Sequence, residues 1–351
     1  MRAYPVKPRP GYDGLVATIH DVAKRAGVSA TTAKRAIRVP EKLAPDTLAR
    51  VRGAIDALHY EPDQLASALR SGHATTIGLV IGSIVEPFFA ELTRAIVHDV
   101  RGRGYSVIIA DNEYRPDIEA AHLHTFNGNR VSGLILRSAY DSGNLDYLGR
   151  MRARGVAVVE VDYFVPGSPL SHVMLDNAGA VEAGVAHLVA HGHRRIAALG
   201  SFHRTLNSDE RVQTFPEALA RHGVPLPPTY VRAVSPTAWD AYSLTLDLMR
   251  VEEPPTALFA ITGSMATGAY RALRHLGLRV PQDVSLLSFD DYPWMELVTP
   301  GIDTLAQPVA PMGRAAVRLL FDQMRLGRGA PIERLRFPAE LIVRGSVVPP
   351  A

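Results

Sequence analysis

The 351-residue chain predicts a small all-helical unit near the N-terminus followed by a much larger α/β body. Between Thr18 and Leu69, apolar residues recur at helical spacing around a tight Gly27-Val28-Ser29 turn. From Thr75 onward the period changes, and short β-branched runs alternate with helical segments. The length also exceeds what one compact core usually organises, so roughly two to three domains are expected.

In the helical unit, Thr18 suits an N-cap, with Asp21 three residues later as its capping-box partner. Ile19, Val22, Ala23 and Ala26 then share one face. Gly27 supplies a stop where positive φ is needed. Ser29 caps a second helix, from which Ala33 and Ile37 are expected to face the first. Leu48, Val51, Ile55 and Leu58 form the apolar stripe of a third. Tyr60-Glu61-Pro62 breaks the chain, and Asp63 can cap a last short helix from Gln64 to Arg70. Residues 1–16 are rich in proline and glycine, lack periodicity and are expected to form a disordered arm. Charge is uneven. Residues 1–72 hold twelve Lys/Arg against seven Asp/Glu, and the remainder 26 against 28. A helix-turn-helix reader of DNA needs positive charge in the first of these segments, because it must attract phosphates.

In the body, strand-like runs at 77–83, 105–111, 133–138 and 156–162 are separated by helical stretches at 88–101, 116–127 and 144–154. The pattern restarts after Ser171, with strands at 172–176, 195–201, 256–262 and 284–291 and helices at 178–191, 208–222, 239–250 and 264–276. Residues 302–348 add strand, helix and strand. Strands joined by helical crossovers imply parallel sheets covered on both faces. Two such runs imply two lobes, with a cleft at the C-terminal ends of the strands.

Composition excludes several classes. Cysteine is absent, so there is no disulfide framework, thiol nucleophile or thiolate metal site. Apolar runs such as 77–85 fall far short of a membrane span. The first 16 residues carry Arg2, Lys7 and Arg9 but no apolar core of a signal peptide, so a cytoplasmic location is expected. No H-E-x-x-H, P-loop or G-x-S-x-G motif is present, and no enzyme, cofactor or metal is expected. His187, His191 and His193 have metal-like spacing but fall at a helix end. Asp290 and Asp291 are adjacent strand residues, which point to opposite faces and make a poor acid–base couple.

Several segments together form a specific signature. They are TIHDVAKRAGVS (18–29), T-x-x-R (32–35), L-x-Y-x-P-D (58–63), L-A-x-x-L (65–69), PFFAEL (87–92), RVSGLIL (130–136), Asp176-Asn177, H-L-V-x-x-G-H-R-R-I-A (187–197), Glu210-Arg211, GLRVPQDVSLLSFDD (277–291) and Gln307-Pro308. With these, the chain resembles a LacI/GalR-family transcriptional regulator over about residues 17–348. The resemblance implies an all-α helix-turn-helix DNA-binding head. It also implies an α/β periplasmic-binding-protein-like body of two doubly wound parallel-sheet lobes linked by three crossovers. The expected divisions are an arm (1–16), the head (17–62), a hinge helix and linker (63–73), a first lobe (74–172 with 302–336) and a second (173–301 with 337–351).

By resemblance, Ala30, Thr31 and Arg35 meet base edges in the major groove, and Leu69 is a wedge in the minor groove. Thr18, Ser29, Thr32, Lys34, Arg38, Tyr60 and Ala66 complete the expected DNA contacts. Ala33-Lys34 and Arg38 stand where the family usually has Val-Ser and Asn, so stronger phosphate contact and an unusual operator are expected. The implied effector residues are Phe88, Phe89, Asp162, Arg211, Thr262 and Asp290, with Arg137, Arg204 and His203 at or after strand ends. The family's Ala-x-Asn-Asp is here Ala260-Ile261-Thr262-Gly263, which weakens the case for an ordinary neutral sugar. A sugar acid or sugar phosphate held by Arg211 with Arg137 or Arg204 is the sharper expectation. The implied assembly is a homodimer, through first-lobe helices including that after Pro87, on a near-palindromic operator. No C-terminal leucine heptad indicates a tetramer. The implied function is a DNA-binding regulator, foremost a repressor, with an activator or ligand-independent regulator as the alternative and a solute-binding protein more distant.

Overall fold

The structure is a computed structural model, and it describes residues 17–60, 75–140, 143–200, 210–231 and 237–351. The chain divides into two compact units at Ala74/Thr75. The expected hinge helix, with Ala66 and Leu69, lies outside the described residues.

The first unit holds α1 (Ile19–Ala26), α2 (Ala30–Arg38), a 3-10 turn (Pro40–Lys42) and α3 (Pro45–Leu58). The capping box forms: the Thr18 amide donates to Asp21 Oδ2 at 2.8 Å, and the Asp21 amide to Thr18 Oγ1 at 3.4 Å. Gly27 ends α1 at φ 65°, a left-handed conformation that favours glycine. Pro45 opens α3 at a position where no amide hydrogen is required. Val22, Ala33 and Val51 are fully buried at the centre, ringed by Ile19, Ala23, Ala26, Ala36 and Ala54. The expected inward place of Ile37 goes to Ala36, and Ile37 is exposed. Ala36 falls about 60° short of a full turn from Ala33 and Ile37 about 40° past it, so spacing from Ala33 alone does not decide between them.

The second unit contains two sheets. The first has strand order β10-β5-β4-β3-β1-β2. Its strands are β1 (Thr76–Ile81), β2 (Ser106–Asp111), β3 (Gly133–Leu136), β4 (Ala157–Val161), β5 (Ser171–Leu175) and β10 (Arg334–Phe337), all parallel. The second has the order β11-β9-β8-β7-β6. These are β6 (Ile196–Leu199), β7 (Ala257–Ala260), β8 (Ser285–Phe289), β9 (Asp303–Ala306) and β11 (Glu340–Ile342), the last antiparallel to β9. The connecting helices are α4 (Pro87–Gly102), α5 (Pro116–Gly128), α6 (Leu145–Ala153), α7 (Asn177–Ala190), α8 (Glu210–Arg221), α9 (Ala238–Leu248), α10 (Gly263–His275) and α11 (Val309–Leu326).

Alternation along β1 makes two cores in the first lobe. Leu79 and Ile81 pack with α4 and α11, whereas Val80 packs on the opposite face with Leu123 and Phe126 of α5. The second lobe has one contiguous core spanning its sheet and α7–α10.

Sheet membership departs from expectation at two strands. Residues 172–175 do not open the second lobe, because β5 pairs between β4 and β10 in the first sheet. Residues 303–306 do not begin the return to the first lobe, because β9 pairs with β8. The chain therefore passes between lobes after Leu175, after Ala306 and after Phe337.

Candidate DNA face and effector cleft

On α2, residues 31, 34 and 35 fall on one side of the helix, since positions three and four apart share a face. Thr31, Lys34 and Arg35 are all exposed there. Among the described residues, neither Lys34 nor Arg35 is in an ion pair. Ser29 Oγ accepts from the Thr32 amide at 3.1 Å and lies 2.9 Å from Thr32 Oγ1, so both hydroxyls are turned to the start of the helix. Ala30 and Tyr60 are half-buried against the head core. Thr18 Oγ1 donates to Asp21 at 2.7 Å. Bonds from Thr18 hold the Asp21 carboxyl below its ordinary range. Arg38 is the last residue of α2.

The cleft is assembled at the C-terminal ends of strands. Arg137 follows β3 and extends its ladder, its amide donating to Val80 O at 2.9 Å. Its guanidinium lies 4.6, 4.3 and 4.7 Å from the rings of Tyr114, Tyr140 and Tyr163. Nη1 donates to Ser138 O at 2.7 Å, and Nε is 3.5 Å from Asp162 Oδ2. Burial would lower the Arg137 pKa, but the tyrosines and Asp162 outweigh it and raise it. Beneath, Asn112 donates to Arg137 O at 2.9 Å and to Glu119 at 3.0 Å, while Ser138 donates to Glu160 at 2.7 Å. This buried polar network fixes the 137–139 backbone.

Asp162 and Asp290 follow β4 and β8, both at positive φ (68° and 62°). Asp290 accepts from the Gly263 amide at 3.0 Å and from Gln307 Nε2 at 2.6 Å. Arg211 donates through Nε to Asn177 Oδ1 at 2.7 Å and through Nη1 to Ile261 O at 2.9 Å, and stacks 4.3 Å over Phe289. Burial pushes the Asp162 carboxyl up, and the charges of Arg137 and Arg211 hold it back. Glu86, just before α4, is pushed up to about 7, first by burial and then by the charges of Asp290 and Asp162. Asp162 and Glu86 of the first lobe thus feel Asp290 and Arg211 of the second, so these groups from both lobes share one cleft. A cavity of about 560 Å³ lies alongside, lined by Phe88, Arg94, Asp290, Tyr292 and Gln307 among others.

Of the expected effector residues, Arg137, Asp162, Arg211 and Asp290 are brought together. Phe88 and Phe89 both pack in the first-lobe core, and Phe88 also lines the cavity. Phe89, Leu92, Ile96 and Val100 form the stripe of α4 that faces the sheet. Thr262 Oγ1 is used as the N-cap of α10, accepting from the Met265 amide at 3.2 Å. Arg204 and His203 lie outside the described residues. Sequence reasoning missed Glu86, Tyr114, Tyr140, Tyr163, Asn177 and Gln307. Asn177 and Gln307 stand in quoted family motifs and were findable there.

The three histidines of 187–193 serve separate partners. His187 meets Asp303 at 2.8 Å, His191 meets the His187 carbonyl at 2.8 Å, and His193 lies between Thr256 and Ser285 at 2.8 and 3.1 Å. Asp291 points away from Asp290 to a bidentate pair with Arg344 at 2.7 and 2.8 Å. Among the described residues, no helix is long and apolar enough to cross a membrane.

Residues 18–63 match the family model for bacterial regulatory proteins, lacI family, and residues 185–347 match that for a periplasmic binding protein-like domain. The chain is 32% identical over 335 residues to the HTH-type transcriptional repressor PurR of Mannheimia succiniciproducens, covering 95% of this chain and 99% of that protein. It is similar in structure to the lac repressor dimer bound to operator and the anti-inducer ONPF (TM-score 0.82, 25% identity, 95% of this chain and 99% of that one). A complex of the transcriptional regulator CelR with cellobiose is also similar (TM-score 0.69, 28% identity, 94% and 99%). Similarity that runs through head and body alike, over nearly the full length of both chains, leads to one assignment: the chain belongs to the lacI family of bacterial regulatory proteins and is a DNA-binding transcriptional regulator, not an enzyme.

Proposed function

We propose that the chain is a repressor acting in the cytoplasm as a homodimer, each copy laying α2 into the major groove of one half of a near-palindromic operator. The observation that carries this is the exposed Thr31-Lys34-Arg35 face on a capped helix. Arg35 has the reach to donate two bonds to guanine, and Lys34 to neutralise a phosphate. The relative at 32% identity is a named repressor, and the lac repressor was solved as a dimer on operator.

A small molecule between the lobes sets the grip, since it shifts the equilibrium by its differential affinity for the two lobe arrangements. The charges around the cleft favour a neutral, hydroxyl-rich ligand over the sugar acid that the arginines suggested. Glu86, Asp162 and Asp290 place three carboxyls there, while Arg137 and Arg211 are already engaged by their own lobes. Carboxyl groups accept from hydroxyls, or donate to them when protonated, and where charged they repel an anionic ligand. CelR was solved with such a neutral sugar.

The test begins with selection of a duplex from a random pool, followed by affinity measurements across salt. Arg35→Ala should cost about 1–3 kcal/mol of discrimination at one base pair and leave binding to random duplex nearly unchanged. Absence of any preference over random competitor at low ionic strength would defeat the proposal. In a thermal-shift panel of neutral sugars against their acids, stabilisation by the acids alone would defeat the ligand assignment.

A further inference from the structure

Among the described residues, one side-chain ion pair spans the two lobes. Arg336 of β10, in the first sheet, places Nη1 2.9 and 3.0 Å from the two carboxylate oxygens of Glu210, the first residue of α8 in the second lobe. The pair straddles the third passage between lobes. One residue further on, Phe337 O accepts from the Asp176 amide at 2.7 Å, at the first passage. The covalent neighbour of Glu210 is Arg211, whose guanidinium is fixed by Asn177, the Ile261 carbonyl and Phe289 at the cleft.

We propose that Glu210 is a positioning residue for Arg211, and that its pair with Arg336 is a latch that holds the lobes at one angle until a ligand draws on Arg211. Glu210 and Arg211 lie on the same helical turn. A shift of the start of α8 that brings Arg211 toward a ligand on the first-lobe side therefore carries the Glu210 carboxylate along. The carboxylate is tethered to a strand of the opposite lobe, so lobe rotation and Arg211 placement become one motion. The pair is partly exposed, with side-chain accessibilities of 44% and 31%, so it is weak, and that suits the role. Two lobe arrangements that interconvert under a ligand differ by little free energy. A surface pair can then shift their ratio by about two- to fivefold without trapping either. This inference extends the ligand-controlled reading above, but the latch exists or fails independently of it.

The chain has no cysteine, so two can be introduced for spin labels, at exposed Arg154 in the first lobe and exposed Arg274 in the second. Labelled full-length chain is diluted into excess unlabelled chain, so that one labelled copy is present per assembly, and inter-lobe distances are measured by pulsed EPR with no ligand added. Arg336→Glu should broaden or shift the distance distribution, and the charge swap Glu210→Lys with Arg336→Glu should return it toward the parent. Operator affinity should follow, with a two- to fivefold change in Arg336→Glu and recovery in the swap, the range being about that of a surface pair. A distribution unchanged in Arg336→Glu overturns the latch, whatever operator affinity does. So does a swap as broad as the single variant, because a pair that only stabilises the fold gives no such rescue of distance. If no operator can be selected at all, the repressor reading falls while the distance measurement still decides the latch.

Discussion

Single residues in the cleft explain one departure from the family pattern. Gly263 stands where the family carries a side chain, and a Cβ there would come 2.5–2.7 Å from three ring carbons of Tyr292. The Tyr292 ring thus occupies the space that the usual side chain would take, and Gly263 and Tyr292 form a matched pair. Gly263→Ala should lower stability by about 1–3 kcal/mol, the usual cost of overpacking. Adding Tyr292→Ala should recover part of the loss on a urea titration, and a Gly263→Ala chain as stable as the parent would contradict the match. Asp162, Asp290 and Arg137 were legible as strand-end residues, because a polar side chain directly after an apolar run points to the cleft edge. Phe88 and Phe89, both packed in the first-lobe core, were less legible, because an aromatic in the first turn of a helix has the same local pattern whether it faces a ligand or a sheet. The tyrosine cage around Arg137 was not legible at all. Tyr114, Tyr140 and Tyr163 come from three separate connections, and only the sheet order brings them to one guanidinium.

Elements were the most legible level, since their existence depends on local spacing and caps. Thr18, Gly27 and Ser29 bound α1 and α2 where the cap chemistry predicts. Ser29→Ala leaves the Thr32 amide without its acceptor at the start of α2. It should cost about 1 kcal/mol of head stability, with a matching loss of operator affinity if α2 is the reading helix. A melting curve of the head that does not move would show that the cap is redundant. The partners of β5 and β9 were not legible, because burial on both faces marks a central strand without saying in which sheet it is central. Only the register with β4 and β8 decides that.

At the scale of the whole molecule, buried titratable groups set the response to acid. Burial lowers His172 and His193 to about 4, from an ordinary 6.5. Both stay neutral in the fold while the unfolded chain takes up their protons. Their contribution is complete above pH 6.5 and is lost as pH falls toward 4. Glu86 acts in the opposite sense, because its carboxyl at about 7 keeps a proton in the fold that the unfolded chain releases above 4.5. Between about pH 6.5 and 4.5 the two histidines make stability fall with acid, while Glu86, and in the same sense the buried carboxyls of Asp162 and Glu160, oppose them. Urea midpoints across that range should show a shallower decline in His193→Asn and a steeper one in Glu86→Gln. Identical slopes in all three chains would show that these groups do not govern it.

The threading of the two sheets has a consequence for synthesis. β10 pairs beside β5, and α11 supplies Val309, Met312, Ala316 and Leu320 to the same core as Ile77 and Ile96. A nascent chain that has emerged from the ribosome only through β5 therefore has one flank of its first sheet bare. That flank waits, apolar and unpaired, while some 130 further residues of the second lobe are translated, so this stretch of translation is when a chaperone has most reason to bind.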